Sequence, residues 1–445
     1  MPQRYFIVVI TAIAALWMYI DRVCISILAD PIQADLGLTD EQKADALGVF
    51  FLTYALFQIP VGSLADRFGP RIVLSISIAA WSIVTACTGL VWTFGALVAV
   101  RLLLGVTEAG AYPAAAGLVK RWAHPEERGR FSSAVALGGR VGGAFAPALT
   151  GWLAVGLVGF GLASWAGAPS GVNWRGVFVL YGALGLVVAL MFWVFVRDEP
   201  PGGVVLSPTP AGAEEQDWHA LPPGTADIVE ARTASGRPPR TFIQRLGVIV
   251  TNPSMWFFGG LQFCNNVSWA FLITLLPTYL KDAGVELDDR KLLQTGVLLA
   301  GCAGMIVGGF VTDLMRQKLG PRWGRSIPIA VMMTMCASMC GIISLSTELW
   351  VAVGALAVMA LCQDLGIPSV WAYAQDVGGK NVGAALGWGN MLGNLGAALS
   401  PALLIRVKIA YGWEAVFALC ACMYVLAAFC GLMLDASKPL DADDV

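Results

Sequence analysis

Apolar stretches about twenty residues long, separated by short polar loops, run through almost the whole chain. A helix of that length spans the ~30 Å hydrocarbon core of a bilayer, because each residue advances ~1.5 Å. The pattern therefore predicts an all-α membrane protein rather than a soluble domain. Twelve transmembrane helices are predicted, near residues 5–29, 45–65, 71–92, 95–119, 131–156, 175–196, 254–279, 291–314, 326–346, 349–374, 382–408 and 413–434.

The composition agrees with this fold class. Of the 445 residues, 57% are hydrophobic and 13% are charged, whereas soluble domains carry about 25% charged residues. The net charge of −2 gives no indication of a nucleic-acid partner. The ten cysteines lie within apolar stretches, so we expect small core residues rather than disulfides or metal ligands.

Lysine and arginine residues in the short loops predict the orientation of the chain in the membrane. Alternate loops are basic, and the first loop of the opposite set is acidic. Because basic loops remain on the cytoplasmic side, both termini are expected in the cytoplasm. The basic loops contain Arg67, Arg71, Lys120, Arg121, Arg128, Arg130, Arg316, Lys318, Arg322 and Arg325.

Residues 198–252 interrupt the hydrophobic pattern with a polar stretch rich in Pro, Gly and Ala. This composition predicts a flexible cytoplasmic linker, with a regulatory role as the alternative. The linker separates an N-terminal six-helix bundle, residues 1–197, from a C-terminal six-helix bundle, residues 253–445. Residues 157–173, between helices five and six, are predicted to form a Gly- and Ala-rich extracytoplasmic insertion.

The two halves repeat each other in sequence. Gly62-Ser-Leu-Ala-Asp66 at the end of helix two recurs as Gly309-Phe-Val-Thr-Asp313 at the end of helix eight. In helix five, Gly139-Arg-Val-Gly142 recurs as Gly393-Asn-Leu-Gly396 in helix eleven. Paired repeats around a site near the bilayer midplane are typical of secondary transporters.

The stretch Gly62-Ser-Leu-Ala-Asp-Arg-Phe-Gly-Pro-Arg71 resembles the signature loop of the major facilitator superfamily. This resemblance covers the whole chain. It implies two bundles that rock around a central cavity, lined mainly by helices one, four, seven and ten. It also implies a transporter and not an enzyme.

Narrower motifs resemble the anion:cation symporter family, which includes bacterial sugar-acid importers, sialin and vesicular glutamate transporters. Helix seven has no arginine in its core, so the likeness is closer to the sugar-acid importers of the bacterial inner membrane. The motifs are Tyr19-Ile-Asp-Arg22, Arg101-x3-Gly105-x2-Glu108-Ala-Gly-x2-Pro113, Leu276-Pro-Thr-Tyr-Leu280 and Asn390-x2-Gly393-Asn394-x5-Ser400-Pro401.

Charged residues inside the predicted helices are candidates for function, because a charge at bilayer depth costs several kcal/mol unless it is paired or hydrated. Counting residues along each helix gives two layers of depth. Asp21, Arg22 and Arg101 fall in the outer third of the membrane. Glu108 and Arg140 fall near the midplane, where they form a predicted couple.

Each of these charges has a predicted role. Arg22 is expected to bind the anion, since a guanidinium stays charged and its two parallel donors fit a carboxylate. Glu108 is expected to carry the coupled proton, because burial disfavours a charged carboxylate. The family resemblance implies the same two roles. Asp21 either accepts a proton or pairs with one of the arginines.

Arg140 has the least precedent in the family, and two roles stay open for it. It either neutralises Glu108 or binds a carboxylate of a substrate with two acidic groups. Asp364 in helix ten is interpreted as a structural partner. Arg101 is included among the substrate-binding candidates.

Uncharged polar residues complete the predicted cavity, with interhelical hydrogen bonding as the alternative role. They are Tyr54, Gln58, Asn265, Asn266, Trp269, Asn390 and Asn394. The predicted gate at the cytoplasmic ends of the helices consists of Asp66, Arg67, Arg71 and Asp313.

The sequence thus predicts proton-coupled symport of a small organic anion, a sugar acid or related carboxylate, by alternating access in the cell inner membrane. The alternatives are an exporter of an organic anion or drug with the same fold, and a transport-dead membrane sensor. We expect protons, the anion and membrane lipid as partners, a monomer, and neither a cofactor, a metal ion nor nucleic acid.

Overall fold

The computed structural model describes residues 3–159, 172–200, 242–346 and 348–440. Within these ranges the regular structure is helical and forms twelve transmembrane helices in two six-helix bundles, which confirms the predicted fold class. The helices, numbered one to twelve along the chain, are Gln3–Ile27, Asp40–Phe68, Pro70–Thr88, Phe94–Glu108 with Ala111–Trp122, Arg128–Gly159, Trp174–Phe195, Pro253–Ala270 with Leu276–Asp282, Leu287–Leu345 (eight and nine), Leu349–Val377, and Val382–Leu432 (eleven and twelve).

Several helices begin at the capping residues that their sequences provide. Thr39 starts helix two with a capping box, in which its side chain and that of Gln42 accept each other's backbone N–H. Thr93, Asn173 and Asn252 accept backbone N–H groups at the starts of helices four, six and seven. These caps fix the helix starts at the ends of the polar loops.

Two glycines divide long helical segments into separate spans. Gly320 separates helices eight and nine, and Gly412 separates helices eleven and twelve. Both have positive φ angles, 75° and 81°, which glycine adopts without steric cost. The chain therefore reverses direction there within a single residue, at matching places of the second bundle.

Helices four and seven are interrupted within the membrane, although the sequence predicted them to be continuous. Helix four breaks at Ala109 and Gly110, directly after Glu108. Helix seven contains a π-helical segment, Phe271–Leu275, before it continues as Leu276–Asp282. Such interruptions free backbone groups and are tolerated only where the protein or water surrounds them. Both helices belong to the predicted lining of the cavity.

The halves meet at the face where helices two and eight end. We call it the basic face because Lys120, Arg128 and Arg325 lie there. Asp66 of helix two accepts hydrogen bonds from the N–H groups of Gly383 and Ala384, 2.7 and 2.9 Å away, at the start of helix eleven.

The repeat of this contact lies in the other half. Asp313 of helix eight accepts hydrogen bonds from the N–H groups of Gly129 and Arg130, 2.8 and 3.1 Å away, at the start of helix five. A carboxylate satisfies the unpaired N–H groups of a helix start and its positive dipole end. Each half is thus closed onto a helix of the other by a repeated aspartate.

Further polar contacts strengthen the closure of the basic face. Asp376 at the end of helix ten pairs with Arg128 and Arg325. The ammonium group of Lys120 donates to the carbonyl of Gly379 at 2.5 Å. The contacts between the halves made by Asp66, Lys120, Arg128, Asp313 and Arg325 all lie at this face. The structure is therefore closed at the basic face.

Part of the predicted linker packs onto this face. A short helix, Phe242–Thr251, precedes helix seven, and its buried Arg245 donates to the Asn381 side chain at 3.0 Å. Arg245 also lies 3.9 Å from Asp66. Residues 201–241 of the linker and residues 160–171 of the predicted insertion lie outside the described residues.

We predict that Gly62→Ala weakens the closure of the basic face. A Cβ atom at Gly62 would overlap the backbone of Gly383 in helix eleven, and overpacking of this kind costs about 1–3 kcal/mol. The measurement is the labelling of a cysteine placed at Ser132, inside this face, in a chain whose native cysteines are replaced. Labelling by a polar thiol reagent should accelerate.

Gly95→Ala is the matched control, because a Cβ atom there meets nothing within 4 Å. It should leave the labelling rate unchanged. Equal rates for the two alanine variants would contradict the close contact between helices two and eleven.

Candidate functional site

An ion pair between Arg22 and Glu108 lies at the centre of the N-terminal half. The Nη2 and Nε atoms of Arg22 donate to the same oxygen of Glu108, Oε2, at 2.7 and 2.9 Å. The Glu108 side chain is fully buried, whereas that of Arg22 remains 13% exposed. The second carboxylate oxygen, Oε1, is buried without a hydrogen-bond partner. Helix four breaks immediately after Glu108, so the carboxylate lies at the end of a helical segment.

Three aromatic rings surround the Arg22 guanidinium. Its central carbon lies 4.3 Å from the ring centre of Tyr54, 5.0 Å from that of Tyr19 and 5.2 Å from that of Phe50. Rings at these distances attract a cation through their quadrupoles and also exclude water from it. The three rings hold the guanidinium in place but carry no negative charge. The counter-charge is the carboxylate of Glu108.

Asp21 lies close to this pair but is not part of it. Its side chain is buried, and both of its oxygens lack a hydrogen-bond partner. Its charge and that of Glu108 are near enough to repel each other. The prediction that Asp21 pairs with an arginine is therefore wrong. Adjacent residues of a helix diverge by ~100°, so when Arg22 points towards helix four, Asp21 points elsewhere.

Arg101 also lies over the Phe50 ring, with its guanidinium carbon 4.8 Å from the ring centre. Its side chain is buried, and Nε donates to the backbone carbonyl of Ala46 in helix two at 3.3 Å. It interacts electrostatically with Glu108. Arg101 thus adds positive charge near Glu108 and also ties helix four to helix two.

A second ion pair, between Arg140 and Asp364, joins the two halves. The Nη2 atom of Arg140 in helix five lies 2.7 Å from Oδ1 of Asp364 in helix ten. The guanidinium also stacks over the ring of Trp269 in helix seven, 5.0 Å from its centre. The predicted couple of Glu108 with Arg140 is therefore wrong. Residue counting gives the depth of a side chain but not the direction in which it points.

The polar side chains of helices seven and eleven form a connected set. Gln262 donates to the side chain of Asn390 at 3.3 Å. Asn266 and Asn394 each donate to the carbonyl one turn earlier in their own helices, of Gln262 and Asn390 respectively. Asn265 is buried, and its Oδ1 atom has no partner. Asn266, Asn390 and Asn394 thus come together through Gln262, which was not among the residues predicted from the sequence.

A row of aromatic residues leads from the Arg22–Glu108 pair to helix ten of the other half. Tyr19 of helix one lies against Tyr112 of helix four, with ring centres 6.3 Å apart. Tyr112 in turn contacts Trp371 of helix ten edge to face, at 5.0 Å. The sequence analysis did not single out Tyr112 or Trp371, because apolar patterning cannot distinguish rings that face a cavity from rings in the core.

Of the four predicted gate residues, two form hydrogen bonds with the other half and two form none with it among the residues that the structure describes. Asp66 and Asp313 join the halves, as described above. Arg67 is exposed and lies over the ring of Phe68. Arg71 donates to the carbonyl of Trp193 at 2.8 Å, within its own half. In this closed state the cross-half cations are instead Lys120, Arg128, Arg130, Arg245 and Arg325.

No group of three or more His, Cys, Asp or Glu side chains in residues 3–159, 172–200, 242–346 and 348–440 could hold a metal ion. The chemistry offered by the described site is exchange of counter-ions. Each of two arginines, Arg22 and Arg140, is neutralised by one carboxylate, and an anionic ligand could take the place of either carboxylate.

We predict different effects on stability for the charged residues of helix one. Arg22→Gln leaves the Glu108 carboxylate buried without a counter-charge, which should destabilise the folded protein by about 3 kcal/mol. The double variant Arg22→Gln/Glu108→Gln should recover most of this loss. Asp21→Asn breaks no hydrogen bond and should unfold at least as high in temperature as the wild type. Thermal unfolding of the purified protein in detergent measures all three. A larger loss for Asp21→Asn than for Arg22→Gln would refute the pairing.

The chain is similar to known proteins over nearly its whole length. The model of the Major Facilitator Superfamily matches residues 11–401. The probable sulfoacetate transporter SauU of Cupriavidus necator is 27% identical over 99% of this chain and 96% of its own length. The probable galactarate/D-glucarate transporter GarP of Escherichia coli K12 is 26% identical over 97% of this chain and 94% of its own. A crystal structure of the E. coli fucose:proton symporter FucP superposes with a TM-score of 0.72 at 13% identity, covering 97% of this chain and 98% of that one.

The family model covers most of the chain. The fold and the relatives are those of transporters and not of enzymes. The chain belongs to the major facilitator superfamily of membrane transporters.

Proposed function

We propose that this transporter is a proton-coupled symporter of a small organic anion, a sugar acid or related carboxylate, in the cell inner membrane. The observation that carries the proposal is the Arg22–Glu108 ion pair, with Arg22 partly exposed and Glu108 fully buried. The substrate class is supported by SauU and GarP, which are named as probable transporters of the organic acids sulfoacetate, galactarate and D-glucarate.

The pair couples an anion to a proton because two carboxylates compete for one guanidinium. While Glu108 is ionised, it occupies the Nη2 and Nε donors of Arg22. When Glu108 takes up a proton, Arg22 remains charged, since a guanidinium does not lose its proton in proteins. An unpaired cation at bilayer depth is unstable by several kcal/mol, so an anion then binds in place of Glu108.

The unpartnered oxygens of the site provide the route for the proton. Both oxygens of Asp21 and the Oε1 atom of Glu108 lack partners in the closed state. A proton on any of them removes the repulsion between the two carboxylates. We assign Asp21 and Glu108 as the proton-coupling residues, with Glu108 as the one that releases Arg22.

The remaining candidates fit the hydroxyl groups of a sugar acid. The amide groups of Asn266, Asn390 and Asn394 offer both donors and acceptors, and Asn265 has a free acceptor. Tyr54 and Trp269 hold the two arginines by their rings. Arg101 contributes a positive field that favours an anion near Glu108.

In the proposed cycle, the described state, closed at the basic face, receives the anion and proton from the opposite face. Neutralisation of the site permits the opposite face to close. The basic face then opens, and the anion and the proton are released there. The abundance of Lys and Arg in its loops assigns the basic face to the cytoplasm, and with it both termini. We place the halves at residues 1–197 and 253–445, joined by the linker 198–252, in a monomer.

The first prediction of this proposal concerns the driving force. Purified protein in liposomes should accumulate an organic acid such as D-gluconate or D-glucarate when the outside is made acidic. A protonophore should abolish the accumulation. Accumulation driven by a sodium gradient and indifferent to pH would contradict proton coupling, and efflux driven by inward proton movement would identify an exporter.

The second prediction concerns Glu108→Gln, which mimics a permanently protonated side chain. The variant should exchange labelled for unlabelled substrate, because the loaded carrier is neutral at this position. It should not accumulate substrate against a gradient, because Arg22 lacks its internal counter-ion when the empty carrier returns. Glu41→Gln, at an exposed position, is the matched control and should accumulate normally. Normal accumulation by Glu108→Gln would assign the coupling to Asp21, and a folded variant inactive in both assays would show a structural pair.

A further inference from the structure

The Arg140–Asp364 pair differs from the Arg22–Glu108 pair in that its partners lie in different halves. Arg140 belongs to helix five and Asp364 to helix ten, 224 residues later in the chain. The side chains are 19% and 8% exposed, so both are largely removed from solvent. At this depth an ion pair is stable only as long as the partners stay together.

Alternating access, as proposed above, moves these two partners apart. The structure is closed at the basic face, and opening that face requires the halves to move apart there. Helix five and helix ten also carry Arg128 and Asp376, which hold the same face together. If the Arg140–Asp364 pair broke with nothing in its place, two charges would lose their partners in a poorly hydrated region, at a cost of several kcal/mol. If a second anion stayed bound to Arg140 while the halves moved apart, Arg140 would keep a counter-charge and only Asp364 would lose its partner.

The position of Arg140 relative to Arg22 shows what that anion could be. Both arginines belong to the N-terminal half, and Tyr19 lies beside both. The ring of Tyr19 is 5.0 Å from the Arg22 guanidinium. Arg140 interacts electrostatically with the same tyrosine and with Tyr112, and a Cβ atom on the adjacent Gly139 would touch both of these side chains. Two guanidinium groups are thus placed around one aromatic side chain, on the wall of the same half.

We propose that Arg140 is a specificity-determining residue that binds a second acidic group of the substrate in place of Asp364. The inference rests on the proposed function, in which Arg22 binds the first carboxylate. It assigns the carrier to acids with an anionic group at each end, either two carboxylates or a carboxylate and a sulfonate. Bound between Arg22 and Arg140, such a dianion moves with the N-terminal half while Asp364 separates from it.

The test compares two acids that differ only at one end. D-gluconate has one carboxylate and a terminal hydroxymethyl group. D-glucarate has a second carboxylate in place of that hydroxymethyl group. Calorimetric binding to the purified full-length protein should show at least about tenfold tighter binding of D-glucarate, the gain of one charged hydrogen-bonded pair. In Arg140→Gln this ratio should fall to about one, while the affinity for D-gluconate should be kept within about threefold.

Two further variants separate binding from structural support. Asp364→Asn removes the internal competitor for Arg140 and should raise the ratio above that of the wild type. The double variant Arg140→Gln/Asp364→Asn leaves no unpaired charge, so it provides a folded protein if Arg140→Gln does not fold, and it should also lose the preference for D-glucarate. Arg22→Gln should weaken the binding of both acids.

The outcomes distinguish this inference from the proposed function. Equal affinities of the wild type for the two acids would overturn the second-acid site and leave the anion site at Arg22 intact. The second-acid site would also be overturned if Arg140→Gln and the double variant kept the wild-type ratio of D-glucarate to D-gluconate affinity. Arg140 would then have a structural role only. If the wild type binds neither acid, nor any other monoacid or diacid, the proposed function fails, and the inference fails with it.

Discussion

A charge buried at bilayer depth must always have a counter-charge, and this constraint organises the transport site. Arg22 cannot lose its charge, is surrounded by three rings, and forms an ion pair with Glu108. Whatever neutralises Glu108 must therefore be accompanied by another anion on Arg22. In the proposed mechanism, the coupling of proton and substrate follows from this single requirement. It does not need a conformational signal between separate sites, because both ligands act on the same ion pair.

The same constraint links the site to the closure of the molecule. At the basic face the halves are held by Asp66 and Asp313, each on the start of a helix of the other half. Near the middle they are held by Arg140 and Asp364. The first two contacts can exchange with water when the face opens. The third is largely removed from solvent, so under the proposed function the state of the substrate site governs whether the halves can separate.

The sequence was sufficient for the fold, because twenty-residue apolar stretches and repeated motifs are properties of the chain alone. The repeat also identified Asp66 and Asp313 as an equivalent pair, and a family motif pointed to Arg22 and Glu108 before their contact was known. The pairing of charges could not be predicted as well. It depends on the direction in which each side chain points, which is set by helix packing and by the break after Glu108.

On binding of the anion, Glu108 is proposed to take up a proton and release Arg22. This step can be tested without membranes. Purified protein in weakly buffered detergent solution, near neutral pH, is mixed with a saturating organic acid adjusted to the same pH, and a pH indicator follows the proton. The account predicts that the wild type takes up protons on binding, and that Glu108→Gln binds the acid with a smaller uptake. Binding without proton uptake by the wild type, or equal uptake by the two proteins, would contradict it.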